Sequence, residues 1–239
     1  MIGDVVKLSS PLEQGSCVLV LGAGFSGQHI ATAARMMGSS VICTRRLISK
    51  KGADVVFDSE TDSVPPYEIL KTVTHLISCI PPAPNGEDPV LKKLNKQLEK
   101  MPIKWAGYLS TTGVYGDCKG KWVRESDQAR PKQPRSQRRL ACEKEWQNSG
   151  LPVQIIRLPG IYGPGRSAIN SLRKETAKMI HKPGQVFSRI HVDDIAGAIF
   201  HLIELAKLGR KPDIVNVSDD LPSTNIEVLR YAACLTNIM

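Results

Sequence analysis

The chain has 239 residues, with 32 Lys and Arg against 23 Asp and Glu, a formal net charge of +9, and 41% apolar residues. A chain of this length buries roughly 70–75% of the surface it exposes when unfolded, so the composition excludes both a disordered chain and a mini-protein that depends on staples. The six cysteines, Cys17, Cys43, Cys79, Cys118, Cys142 and Cys234, stand singly, without CxxC or a His at ligand spacing, and predict reduced thiols and no metal site.

No run of about 18 apolar residues occurs, and the start, MIGDVVKLSSPLEQG, lacks the basic and apolar regions of a signal peptide. A soluble, cytoplasmic protein without a membrane partner is expected. The positive charge suits phosphates on a small molecule, a nucleic acid or an anionic surface.

Residues 1–15 read as an N-terminal extension. From residue 16 to about 217, apolar runs of strand length alternate with stretches of helical period, the pattern of βαβ units around a parallel sheet. The first predicted strand, Cys17–Leu21, runs straight into Gly22-Ala23-Gly24-Phe25-Ser26-Gly27, and a helix is predicted over Gly27–Met37, with apolar Ile30, Ala33, Ala34 and Met37. This is GxGxxG between a strand and a helix. The first Gly permits the tight turn, the second lets a pyrophosphate approach the backbone, and the third lets helix pack on strand. Free N–H groups at the helix start then meet negative charge. Gly22, Gly24, Phe25, Ser26 and Gly27 are therefore candidate dinucleotide-binding residues.

The second strand, Val41–Thr44, ends where an NAD site places a carboxylate on the ribose 2′-OH. Arg45 and Arg46 follow instead. A guanidinium pairs with a 2′-phosphate, so NADP(H) is expected ahead of NAD(H); solvated surface charge is the alternative. The third strand, Val55–Phe57, delivers Asp58, either an acceptor for the adenine amino group or a turn former. The fourth, His75–Ile80, leads into a proline-rich turn whose Pro81 is assigned to the cofactor site.

A helix over Asp88–Lys100 and a fifth strand, Trp105–Leu109, come next, then the basic stretch Arg130-Pro131-Lys132-Gln133-Pro134-Arg135 with Arg138 and Arg139, and a helix over Gln137–Asn148. The stretch reads as a solvated face, a cradle for nucleotide phosphates, or a nucleic-acid contact; the lack of interleaved aromatics counts against the last. The strand Val153–Leu158, a glycine-rich turn at 160–165, helices over Ile169–Ile180 and Asp193–Leu208, the strand Ile214–Val217 and a helix over Asn225–Leu235 complete the chain. Mostly continuous Val/Ile/Leu strands imply a sheet covered on both faces. The expected fold is α/β, a doubly wound parallel-sheet Rossmann domain over residues 16–160, with a small substrate lobe over 161–239 interleaved with the last sheet strand.

From Cys17 to Asp220 the chain resembles the short-chain dehydrogenase/reductase superfamily, in particular its extended and atypical branch of nucleotide-sugar epimerases and dehydratases. Besides the glycine loop, the resemblance rests on Leu109-Ser110-Thr111-Thr112-Gly113-Val114-Tyr115-Gly116, similar to the family's SSxxxVYG segment, and on Arg157-Leu158-Pro159-Gly160-Ile161-Tyr162-Gly163-Pro164-Gly165, similar to its RxxxxYGPG turn. Arg189-Ile190-His191-Val192-Asp193-Asp194 is similar to its HVDD segment, and Asn216-Val217-Ser218-Asp219-Asp220 to its late NVSDD strand.

The resemblance implies an NAD(P)-dependent epimerase, dehydratase or reductase acting on a nucleotide sugar. It places Thr111 at the hydroxyl that hydrogen-bonds the substrate oxygen. The family's general base is the Tyr of YxxxKxxxE, its pKa lowered by the Lys. With Glu143 as anchor, Arg135 falls at the Tyr position and Arg139 at the Lys position. Arg139 still offers positive charge to a ribose or phosphate, but Arg135 is permanently protonated and cannot be the base. Tyr115 is the candidate for recruitment in its stead. The dehydratases' Asp-Glu pair is also missing, since Thr112-Gly113 follows Thr111. Arg157, Tyr162, Arg166, Arg189 and His191 lie in segments that line the family's substrate cleft, implying an anionic substrate.

Three function classes stand open at this point: an atypical NAD(P)-dependent enzyme, a non-catalytic NADP(H)-binding sensor or assembly factor that has no need of YxxxK, and a nucleic-acid protein using the basic helix, which predicts steeply salt-dependent binding. A homodimer paired through the helices that carry Glu99 and Glu143 is the family's usual assembly.

Overall fold

The computed structural model describes residues 2–180, 182 and 184–237. In chain order the strands are β1 (Cys17–Leu21), β2 (Ser40–Arg45), β3 (Val55–Val56), β4 (His75–Ser78), β5 (Trp105–Thr111), β6 (Val153–Leu158), β7 (Gly160–Tyr162), β8 (Arg189–His191) and β9 (Ile214–Asn216). The helices are α1 (Ile2–Leu8), α2 (Phe25–Met36), α3 (Tyr67–Leu70), α4 (Pro89–Leu98), α5 (Pro134–Gln147), α6 (Ala168–Arg173), α7 (Val192–Lys207) and α8 (Asn225–Thr236).

A seven-stranded sheet has the order β3-β2-β1-β4-β5-β6-β9, every pair parallel, and β7 and β8 form a small parallel pair beside it. The chain winds outward from β1 in one direction and from β4 in the other. Ligands of such sheets bind at that reversal, outside the carboxyl ends of the strands.

Alternation along β1 explains the layers, because successive side chains leave a strand on opposite faces. Val18 and Val20 join Ile30, Ala33 and Ala34 of α2 and Ile195 and Ile199 of α7 in one core. Cys17, Leu19 and Leu21 join Val90, Leu94 and Leu98 of α4 and Cys142 and Trp146 of α5 in the other. Asp88 couples two helices of this second layer. Its carboxylate caps α4 by accepting from the Val90 and Leu91 N–H groups at 2.9 and 3.0 Å, and it also accepts from Trp146 Nε1 at 2.8 Å. Burial nevertheless raises the Asp88 carboxyl above its ordinary pKa.

Besides α3, β7 and β8, which are not among the predicted elements, three elements differ from their predicted form. Residues 1–15 include a helix, α1, packed on α2 and α7; Gly197 lets it approach, since a Cβ there would lie 3.2 Å from a Val5 methyl. The helix predicted over 169–180 ends at Arg173, because Glu175 turns left-handed (φ 55°) and Thr176 N–H closes the end on Ser171 O at 2.9 Å. Met179 and Ile180, inside the predicted range, are exposed. α5 begins at Pro134, ahead of the predicted Gln137, with proline in the first turn where its missing N–H is harmless. Among the described residues, no helix is long and apolar enough to cross a membrane.

Candidate functional site

The glycine loop joins β1 to α2 at the sheet's reversal. Gly22 adopts φ 83°, and a Cβ there would stand 2.8 Å from Ile80 Cγ1. A Cβ on Gly27 would stand 2.7 Å from Gly22 O, so the helix can pack this close only without a side chain. Thr44, at the end of β2, holds the turn: its hydroxyl accepts from Gly22 N–H at 3.0 Å and its carbonyl from Ala23 N–H at 2.9 Å. Gly24 occupies the N-cap position and offers no side chain to cap α2, whose first turn also lacks acidic residues. The first-turn N–H groups have no partner within the helix and carry the positive end of its dipole. The loop thus leads into an uncapped helix start of the kind that can receive an anion.

The other candidate cofactor residues surround this loop unevenly. Arg45 donates from Nη1 to Ala23 O, which lays its guanidinium along the loop's β2 side. Arg46 is exposed and lies 4.0 Å from the equally exposed Glu60. Asp58 accepts from Glu60 N–H at 3.1 Å and its backbone bridges Ser63, so its carboxylate is used in forming a turn. Pro81 is exposed at the carboxyl end of β4.

On the β5 side, Thr111 ends the strand and caps a short 3-10 turn, Thr112–Tyr115, by accepting from Gly113 N–H at 3.1 Å. Arg139 reaches from α5 to the ends of β4 and β5, where Nη1 lies 3.3 Å from Ile80 O, 3.1 Å from Leu109 O and 3.0 Å from the Tyr108 hydroxyl. It therefore places a fixed positive charge at the head of the cleft. Arg135 lies in the first turn of the same helix and is exposed, while its neighbour Ser136 is buried against Gly113. Tyr115 is buried; its hydroxyl donates to Asn216 Oδ1 at 2.8 Å and its ring lies 4.8 Å from the Arg157 guanidinium. That hydroxyl fastens β9.

Arg157, expected to face substrate, is buried instead. Its Nε and Nη2 donate to Glu143 at 3.1 and 2.7 Å in a bidentate pair, and Ser110 Oγ donates to the same carboxylate. This network ties β5, β6 and α5 together. Charge in the run VQIIRL was the available signal, since a buried guanidinium requires a carboxylate partner.

The remaining candidates come from the β7 and β8 segments. Arg189 spends its guanidinium on Phe187 O and Ser223 O, at 3.0 and 3.4 Å. Tyr162 packs edge-on against His191, with centroids 5.2 Å apart. Its hydroxyl is raised above its ordinary pKa by partial burial and by the carboxylates of Asp219 and Asp194, which makes it a poor base near neutral pH. His191 caps α7, its Nδ1 accepting from Asp193 N–H at 3.3 Å. Arg166 lies over the ring of Phe25, 5.4 Å from its centroid. A residue the sequence reading passed over, His29, meets Asp193 at 2.6 Å and joins the start of α2 to the start of α7. Among the described residues, no group of His, Cys, Asp and Glu is arranged to hold a metal ion.

Beside the 3-10 turn lies a depression of about 390 Å³ lined by Tyr115, Asp117, Cys118, Gln128, Arg130 and Lys132. The Arg138 stem covers Gly86 in the loop after β4. Arg130 and Lys132 of the basic stretch thus line this depression, and Arg138 lies over the loop after β4.

Comparison with known proteins agrees with this architecture. Residues 91–218, more than half of the chain, match the NAD dependent epimerase/dehydratase family. Protein YeeZ of Escherichia coli K12 is 33% identical over 106 residues, 43% of this chain and 36% of that protein, so the match spans about a third of the relative's length. A functionally unknown conserved protein of Silicibacter pomeroyi DSS is 36% identical and superposes with a TM-score of 0.81, over 94% of this chain and 79% of that one. The dTDP-glucose 4,6-dehydratase of Bacillus anthracis str. Ames, solved in complex with NAD, is 19% identical with a TM-score of 0.74, over 94% and 82% of the two chains, a likeness of fold. By the match over residues 91–218 and the parallel sheet in this strand order, the chain belongs to the NAD dependent epimerase/dehydratase family.

Proposed function

We propose that the chain binds a nicotinamide dinucleotide at the glycine loop, NADP(H) ahead of NAD(H), and acts as an oxidoreductase or isomerase on a nucleotide-sugar-like, anionic substrate. The observation that carries the reading is the loop: Gly22 and Gly27 leave no room for side chains, and the uncapped start of α2 presents free N–H groups. The backbone from Gly24 to Gly27 would hold the diphosphate, and Arg45 would hold the 2′-phosphate after releasing Ala23 O. When bound, the nicotinamide supplies hydride transfer. Arg139 would face the nicotinamide ribose, Thr111 would orient the substrate oxygen, and the basic stretch from Arg130 to Arg138 would attract the substrate phosphates. Residues 161–239 would close the substrate side of the cleft.

A second reading has its own observation. Arg135 stands where the family's base would be, and the Tyr115 hydroxyl is committed to Asn216. A sensor or assembly factor that binds NADP(H) without proton transfer needs neither group. Titration with the oxidised and reduced forms of both dinucleotides measures binding. Turnover with nucleotide sugars is followed by nicotinamide absorbance for net oxidation or reduction and by NMR of the sugar for isomerisation, which returns the hydride and leaves the cofactor unchanged. Binding with turnover supports the enzyme, binding without turnover supports the sensor, and absence of binding to either dinucleotide overturns both.

A further inference from the structure

We infer that Arg166 is a diphosphate-binding residue of the cofactor site, brought to the glycine loop from the far side of the cleft by the turn after β7. The inference rests on the dinucleotide reading above and adds a side chain to a site otherwise made of backbone. In the family resemblance this arginine belongs to the substrate side; the geometry assigns it to the cofactor.

The turn is built to touch the loop. Gly163 and Arg166 exchange backbone hydrogen bonds, both of 2.9 Å, which fixes where Arg166 leaves the turn. Gly163 is buried directly against the loop: a Cβ there would lie 2.6 Å from Val192 Cγ1, 3.3 Å from Phe25 Cζ and 3.4 Å from His191 Nε2. Only glycine permits this approach. One turn farther along the same face of α2, the His29–Asp193 contact of 2.6 Å clamps α2 to α7. The turn that carries Arg166 is thus seated through Gly163 on a connected cluster of Phe25, His29, His191 and Asp193 at the starts of α2 and α7.

Electrostatics then makes the arrangement informative. Phe25 is the first residue of α2, and the Arg166 guanidinium lies 5.4 Å from its ring centroid. Among the described residues that guanidinium makes no hydrogen bond and no ion pair, and the residue is exposed. The first turn of α2 contributes no acidic side chain to offset it. A cation beside the positive end of a helix dipole is repelled by it, and the ring face supplies only a modest cation–π attraction. An anion seated between helix start and guanidinium converts both positive groups into ligands. The guanidinium fork matches a diphosphate, whose oxygens accept parallel N–H donors.

The test uses the whole chain and measures binding of NADPH, of adenosine 2′-monophosphate, which lacks the diphosphate, and of a uridine diphosphate sugar. Arg166→Ala is expected to weaken NADPH about tenfold, the loss of a charge-assisted contact, while leaving adenosine 2′-monophosphate binding and the melting temperature unchanged; Arg166→Lys is expected to recover part of the loss. Equal NADPH binding by wild type and Arg166→Ala overturns the assignment while leaving the dinucleotide reading intact. A loss confined to the uridine diphosphate sugar also overturns it, in favour of a substrate role. A wild type that binds neither NADPH nor NADH overturns the dinucleotide reading itself, and this inference with it.

Discussion

At the β1–α2 turn the backbone geometry of a glycine loop is made by residues adjacent in the chain, whereas on the β5–α5 side a supporting frame is present and Arg135 stands where the resemblance puts a tyrosine. Gly22, Gly27 and Thr44 shape the first region without any side chain that must react. In the second, Ser110, Glu143 and Arg157 lock β5, β6 and α5 together, yet the exposed first turn of α5 presents Arg135. The difference teaches that positioning and proton transfer are separable. The buried network fixes β5, β6 and α5 to one another whether or not the chain performs chemistry, and so it is no sign of turnover.

The most severe way to break this comparison is to attack the frame. Glu143→Ala leaves the Arg157 guanidinium buried without a partner, and it is expected to lower unfolding free energy by about 3–5 kcal/mol in a denaturant titration. A probe remote from both regions is His75, at the opposite end of β4. Burial depresses it from 6.5 to about 4. The unfolded chain therefore binds the proton first, and stability present above pH 6.5 is lost as pH falls toward about 4, by roughly 2–4 kcal/mol. His75→Asn is expected to flatten the urea midpoint across that window.

Gly27→Ala sharpens the contrast at the loop. The added methyl meets Gly22 O, and a loss of about 1–3 kcal/mol with failure to bind NADPH is expected, read by melting and fluorescence titration. Arg45→Ala tests the 2′-phosphate contact: NADPH weakens about tenfold and NADH stays within about twofold, by the same titration. Tyr115→Phe is the mildest. It removes the bond to Asn216 and is expected to lower stability by about 1 kcal/mol without altering NADPH affinity.

The sheet and the glycine loop were legible because their signals are local: continuous apolar runs, and a glycine spacing bounded by strand and helix. α1 escaped notice because seven residues carry a faint pattern whose burial depends on α2 and α7. The β7–β8 pair escaped because three-residue strands carry almost no periodicity. Arg157, Arg166 and Tyr115 were placed by analogy at a cleft, and the structure sends them in three directions: into the sheet–helix core, onto Phe25, and toward Asn216. His29 could not be paired with Asp193 from the sequence, since 164 residues separate them and only the fold brings α2 beside α7.

The taper of the sheet bears on how copies of the chain meet. Its outer members are β3, with two residues, and β9, with three, while the interior β5 has seven. β9 is further occupied on its backbone, where Asn216 N–H donates to Glu125 at 2.7 Å. Edges this short offer little unpaired backbone to a strand from another molecule, which is how natural sheets avoid edge-to-edge aggregation. Self-association of the native protein would therefore proceed through helix faces, and its propensity to form fibrous β-structure should be low as long as the sheet remains intact.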